Sequence, residues 1–153
     1  MKESDFPMKP VLAKENIHLN QSAATQEEAI RLAGKALVDA GYVTADYIEK
    51  MLEREGLTST YMGNAIAIPH GTEDSKQDVL YSGISVIQLP EGVEYGDGNI
   101  AKVIFGIAGK NDEHLEILSK IAIVCSEADN VERIINAKNE DELMAVFEEG
   151  DQI

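Results

Sequence analysis

The side chains best suited to chemistry in this 153-residue chain are His18, His70 and His114, one thiol, Cys125, and a guanidinium, Arg54. His70 is set apart by its delivery. Asn64-Ala65-Ile66-Ala67-Ile68-Pro69-His70-Gly71-Thr72 is a short apolar run that ends on a Pro/Gly-flanked turn. Ile66 and Ile68 alternate as in a strand, and Pro69, with no N–H for the ladder, ends it and leaves the imidazole at a strand end. Reactive groups are commonly held on loops braced by rigid elements, and Gly71 permits a sharp turn or a close approach of another molecule. A neutral imidazole can act as base, metal ligand or nucleophile, so the residue type leaves three chemistries open.

Spacing narrows the choice. The three histidines show neither His-x-x-x-His nor Cys-x-x-Cys spacing, which argues against a zinc site. No Gly-x-Ser-x-Gly elbow is present for a serine hydrolase, and Ser82 and Ser85 lie within a predicted strand. The glycines of Glu91 to Gly98 are too irregular for a dinucleotide or P-loop pattern. Phosphoryl transfer through a nucleophilic His70 fits better. It depends on positioning and charge stabilisation, so a sparse site with no metal and no cofactor suffices when the donor is itself a phosphoprotein.

The elements that must position these groups can be read in order. Residues 1–10, with Pro7 and Pro10 and mixed charge, predict a loose arm, and Ile17-His18-Leu19 a short strand with His18 facing solvent. Thr25 and Glu28 form a capping box before helical spacing at Ala29, Ile30, Ala33, Leu37 and Ala40, with Gly41 as the stop. A second helix is expected from Thr44 to Gly56, burying Tyr47, Ile48, Met51 and Leu52. Arg54 falls in its last turn, where helix-dipole compensation or pairing with Glu49, Glu53 or Glu55 would account for it without any role in a site.

Val79 to Leu89 reads as a strand closed by Pro90, with Gly83 a bulge or close contact, and Glu91 to Gly98 as a turn-rich loop. The continuous apolar run Lys102 to Ala108 predicts a central strand buried on both faces. Asn111 or Asp112 would then cap a third, largely buried helix with His114 in its first turn and Leu118, Ile121 and Cys125 on the same stripe. A helix N-terminus favours a neutral imidazole and attracts an anion. Cys125 on that stripe reads as an inert core thiol. Asn130 to Ala137 and Asn139 to Phe147 predict two short helices before an acidic, solvated tail at Glu148 to Asp151.

Composition sets the outer bounds. The length suits one α/β domain with a mainly aliphatic core, since 44% of residues are hydrophobic and only 5% aromatic. A formal charge of −15 repels phosphate backbones and anionic headgroups, which disfavours nucleic acid as a partner. A lone cysteine, no apolar signal core and no run of membrane-spanning length place the chain, by expectation, in the cytoplasm with no membrane insertion.

Ala65-Ile66-Ala67-Ile68-Pro69-His70-Gly71-Thr72, then Ser82-Gly83-Ile84, then Gly106-Ile107-Ala108-Gly109-Lys110 with Glu113-His114-Leu115, together resemble the mannitol-type enzyme IIA of the bacterial phosphoenolpyruvate-dependent sugar phosphotransferase system. The resemblance runs from about Leu12 to Phe147. It implies a single IIA domain over residues 1–153, a mixed β-sheet flanked by helices on both faces. It also implies a phosphorylated histidine at His70, a second active-site histidine at His114 that donates a hydrogen bond, and a charge-neutralising arginine at Arg54. The expected partners are the histidine phosphocarrier HPr as donor and the enzyme IIB/IIC transporter, with a IIB cysteine as acceptor, engaged in trans. Gly71-Thr72 and Ile107-Ala108-Gly109-Lys110 favour the mannitol type over the fructose type. The alternative is a regulatory phospho-acceptor module of the same system, against which the charge and the lack of a DNA-binding segment argue.

Overall fold

The computed structural model describes residues 11–111 and 113–150, apart from the side chains of 149 and 150. The arm at 1–10, a cap at Asp112 and Asp151 of the acidic tail lie outside the described residues, whereas Glu148 to Gly150, expected as tail, continue the last helix. Five strands, β1 (Ile17–His18), β2 (Tyr61–Gly63), β3 (Ile66–Ala67), β4 (Gly83–Glu94) and β5 (Ile100–Ala108), form one sheet in the order β1-β4-β5-β3-β2. It is mixed: β1 runs parallel to β4 and β3 to β5, while β4 with β5 and β2 with β3 are antiparallel.

Period-two patterning divides the core in two. Ile87, Leu89, Ile104 and Ala108 face α1 (Gln26–Asp39) and α2 (Asp46–Leu57). Ile84, Val86, Val103, Phe105 and Ile107 face α3 (Glu113–Cys125), α4 (Ala128–Ile135) and α5 (Glu140–Gly150). Every residue of β5 from Val103 to Ala108 is buried, as a central strand between two helical layers requires. The expected α/β sheet with helices on both faces is thus the architecture found.

Local chemistry sets the helix ends. Thr25 Oγ1 accepts the Glu28 N–H at 3.1 Å, and the Glu28 carboxylate accepts from Ala24 N–H, also at 3.1 Å. At the other end of α1, Tyr42 N–H reaches Leu37 O and Gly41 N–H reaches Val38 O, a Schellman motif with Gly41 at φ 84°. α2 opens two residues later than expected, because the Thr44 hydroxyl bonds Asp78 instead of capping the helix, and it runs through Gly56 to Leu57.

Three expectations are corrected. Pro90 does not close its strand, because β4 continues to Glu94. The register slips between Gln88 and Val93, and the exposed Pro90 sits in that slip, where no ladder N–H is demanded. Half of the predicted 91–98 loop is therefore strand, while the predicted start at Val79 is an isolated bridge to Val43. Finally, α3 is not largely buried. Ile117, Ile121, Val124 and Cys125 face the sheet, but Leu115 and Ile123 remain 59% and 52% exposed. Gly83 does make the expected close contact, since a Cβ there would overlap the Tyr42 ring.

Candidate active site

β3 is only two residues long, but its line continues beside β5. The Ile107 N–H donates to Pro69 O at 3.0 Å, and His70 pairs with Ile107 as an isolated parallel bridge. Pro69 fits there because β5 uses only its carbonyl. The His70 ring folds back so that Nδ1 lies 2.9 Å from Ile68 O. A carbonyl can only accept, so Nδ1 carries the proton and Nε2 keeps the free lone pair. Burial holds the His70 pKa below the ordinary histidine value. The Ile68 carbonyl opposes that shift, and the positive charge of Arg54 and nearby His114 reinforce it. The ring is therefore neutral at pH 7, with a nucleophilic Nε2.

The turn after His70 is gripped from the helical side. Tyr47, buried on α2, accepts the Gly71 N–H at 2.9 Å and donates to Ile107 O at 2.7 Å. A Cβ at Gly71 would stand 2.6 Å from the Tyr47 ring and 2.5 Å from Ser75 Oγ. Of the two expectations for Gly71, a sharp turn or a close approach, the structure shows a close approach, made by side chains of the same protein. Burial raises the Tyr47 hydroxyl to about 12, so it stays protonated and able to play both parts.

His114 arrives from the opposite side, in the first turn of α3, half-buried. Gly109 allows the chain to double back there, because a Cβ at that position would run into the His114 backbone. The Ser82 hydroxyl accepts the Lys110 N–H at 2.8 Å and donates to the Glu113 carboxylate, tying this corner to the start of β4. The rings of His70 and His114 are 6.3 Å apart, centroid to centroid, and tilted by 31°. One small anion can bridge that spacing.

Arg54 lies in the last turn of α2 and donates from its guanidinium to Thr58 O at 2.8 Å. The pairing with nearby carboxylates that would have explained it is not found, and Arg54 is in no ion pair among the described residues. Glu49 pairs with Arg31, and Glu55 accepts hydrogen bonds from Thr60 and Tyr95. His70, His114 and Arg54 all line one open cleft of about 460 Å³, with Tyr47, Met62 and Leu115 among its walls. His18 and Cys125 do not line it. His18 is half-buried on β1, not fully turned to solvent, and Cys125 is a core thiol pushed up to about 12 by burial.

Sequence reasoning placed Tyr47 on a buried helix face but missed its contact with the histidine turn. The available signal was chemical, because a tyrosine on an otherwise aliphatic face needs a partner for its hydroxyl.

A mixed sheet between two helical layers presents a neutral imidazole with a second imidazole and a guanidinium across an open cleft, the architecture of a IIA domain. The chain belongs to the family described as phosphoenolpyruvate-dependent sugar phosphotransferase system, EIIA 2, whose model matches residues 10–150. It is a phosphotransferase component of that system.

Among curated relatives, the mannitol-specific phosphotransferase enzyme IIA component of Bacillus subtilis is 68% identical over 139 residues, covering 91% of this chain and 97% of that protein. The component of the same name from Geobacillus stearothermophilus is 64% identical over 140 residues, covering 92% and 97%. Among solved structures, IIA mannitol from Escherichia coli superposes with a TM-score of 0.83 at 42% identity, covering 88% of this chain and 97% of that one. The IIA chain in a complex with phosphorylated enzyme IIB of the Escherichia coli mannitol system gives 0.86 at 40% identity, covering 90% and 96%.

Proposed function

We propose that this chain is the IIA phosphocarrier of a mannitol-type uptake system, with His70 as its acceptor. The observation that carries this reading is the free, nucleophilic Nε2 of a neutral His70 that shares its cleft with His114 and Arg54. The Nε2 lone pair attacks phosphorus on phospho-HPr. An N–P bond forms on His70 as the N–P bond of the donor histidine breaks, and the electron pair returns to the donor ring. The His70 ring then carries positive charge, with its Nδ1 proton retained and stabilised by Ile68 O at 2.9 Å. That charge makes the ring a good leaving group. In the second half-reaction a cysteine thiolate of enzyme IIB attacks the same phosphorus, and the His70 N–P bond breaks.

Arg54 and His114 take supporting parts. The guanidinium offsets charge on the phosphoryl oxygens, and His114, at the positive end of α3, donates an N–H to one of them. IIC follows IIB in the membrane. No described helix is long and apolar enough to cross a bilayer, which suits a component that shuttles in the cytoplasm between HPr and a transporter. High identity to mannitol-specific components supports mannitol or a related hexitol as the sugar served.

A regulatory reading has one specific observation in its favour. Nitrogen regulatory protein IIA-Ntr from Neisseria meningitidis shares the fold with a TM-score of 0.76 at 28% identity. The 68% identity to an uptake component weighs against it.

The test is intact mass and peptide mapping after incubation with phosphoenolpyruvate, enzyme I and HPr. One acid-labile phosphoryl group on His70, absent from H70A and discharged by a mannitol-type IIB, is the expected result. A folded protein that takes no label would overturn the carrier reading, and a label that IIB cannot discharge would favour the regulatory one.

A further inference from the structure

The Tyr47 hydroxyl occupies an unusual place in the backbone ladder beside His70. In a parallel pair, a strand residue donates its N–H to one carbonyl of the neighbouring strand, and its own carbonyl accepts from the N–H two residues further on. Ile107 N–H donates to Pro69 O at 3.0 Å, so the next rung should run directly from Gly71 N–H to Ile107 O. That rung is lengthened, and two hydrogen bonds span it, Gly71 N–H to Tyr47 Oη at 2.9 Å and Tyr47 Oη–H to Ile107 O at 2.7 Å. A side-chain oxygen is inserted into the ladder one residue after His70.

The surroundings leave the hydroxyl little freedom. Tyr47 is 3% exposed, and its ring fills the space where a Cβ of Gly71 would lie. On its other edge, β5 cannot relieve the insertion. The Ile84 N–H opposite Ile107 points away to Val11 O, so the Ile107 amide and carbonyl are both committed to the His70 side.

We infer that Tyr47 is a positioning residue for phosphoryl transfer. Its hydroxyl holds the Gly71 peptide one oxygen away from β5, and this spacing splays the His70 ring into the cleft at its 6.3 Å distance from His114. Without the hydroxyl, Gly71 N–H and Ile107 O close on each other as an ordinary rung and draw His70 toward the sheet. The inference rests on His70 being the acceptor. Its hydroxyl is committed to the backbone on either side of His70, and it is through those two bonds that Tyr47 acts.

The test is Y47F, which keeps the ring and removes one oxygen. In 15N-resolved spectra the Gly71 amide should move and the His70 ring should titrate at a shifted pH, while the fold, read from the remaining amides, is retained. Phosphoryl acceptance from phospho-HPr should fall about tenfold to a hundredfold, the cost of an ångström-scale misplacement. The loss should fall on kcat, with KM for phospho-HPr unchanged, because the docking surface is untouched. Should Y47F fail to fold, G71A serves instead, since its Cβ presses on the same peptide from the Tyr47 side, and the same two readouts apply.

Unchanged Gly71 and His70 resonances in Y47F would overturn the spacer, as would a shifted ring that accepts phosphoryl at the wild-type rate. Wild-type protein that takes no label on His70 would instead sink the carrier reading. The resonances would still decide whether the hydroxyl sets the His70 geometry.

Discussion

The two histidines that meet across the cleft are held by unlike means. His70 is fixed through main chain, with Pro69 and Gly71 both engaged by Ile107, one directly and one through Tyr47, and the ring locked onto Ile68 O. His114 is held at the start of a helix whose outer face is open. Its anchorage is one glycine and one serine, Gly109 and Ser82, in a corner where Leu115 and Glu113 are exposed. The proposed acceptor belongs to the sheet and the second histidine to a loosely covered helix end. A group that forms and breaks a covalent bond needs a fixed direction of attack, whereas a donor that follows the phosphoryl oxygens tolerates small shifts.

That contrast ranks the expected effects of substitution. H70A removes the proposed nucleophile, and phosphoryl acceptance should vanish entirely, with no residual label by intact mass. H114A and R54A each leave Nε2 of His70 in place, so acceptance should persist at a rate lowered about 100-fold to 1,000-fold, the range for losing one preorganised charge-stabilising donor. Rapid-quench measurement with phospho-HPr separates the two classes. A wild-type rate in both H114A and R54A would remove them from the site.

G109A attacks the helix-end anchor at its tightest point. The added methyl has backbone, not a flexible side chain, in its way, so the corner must shift, at about 1–3 kcal/mol in urea midpoint experiments. The loss in transfer should match H114A without exceeding it, because the β3–β5 side is not involved. A G109A protein as stable as wild type would show that the corner is softer than its geometry indicates.

Much of this arrangement was legible before any coordinates, and the boundary of legibility follows the range of the interaction. The Thr25–Glu28 box and the Gly41 stop are settled within six residues, and both were readable. The burial of β5 was readable because a run without polar breaks has few other places to lie. Pro90 was misread because its tolerance depends on a register slip against Ala101, a partner the sequence does not name. The exposure of Leu115 and Ile123 was hidden for a similar reason, since periodicity shows that a helix has apolar faces but not which of them another element covers. His70 and His114 were found as motifs. Their 6.3 Å approach, and the insertion of Tyr47 beside Gly71 across 24 residues, are products of tertiary packing.

The anchorage of the His70 side also carries a pH dependence. Burial, helped by the charge of Arg54 and by His114, lowers the His70 pKa below its ordinary 6.5. The folded state therefore binds less proton than the unfolded state in the interval between the two values. Stability from this group is complete above about pH 6.5 and is lost as pH falls through the interval to the folded value. Acceptance by Nε2 should follow the same course, flat above neutrality and falling only on the acid side, with its midpoint under 6.5. In R54A that midpoint should rise, because one of the charges that lowers it is gone. A midpoint that stays put would mean that the charge of Arg54 does not reach the ring.

S82A should give the smallest effect and the sharpest view of the contrast. Its hydroxyl accepts the Lys110 N–H at 2.8 Å and donates to Glu113 at a half-exposed corner, so its loss should cost about 0.5–1.5 kcal/mol at most. The informative readout is local. Amide exchange should quicken at Lys110 and through the first turn of α3, while the amides of Ile68, Gly71 and Ile107 keep wild-type protection, because none of their hydrogen bonds passes through Ser82. Exchange that quickened equally at both places would mean that the two histidines are held by one cooperative unit. The different anchors described above would then be two parts of a single mechanical element, and a partner docking on α3 would be felt at once by the nucleophile.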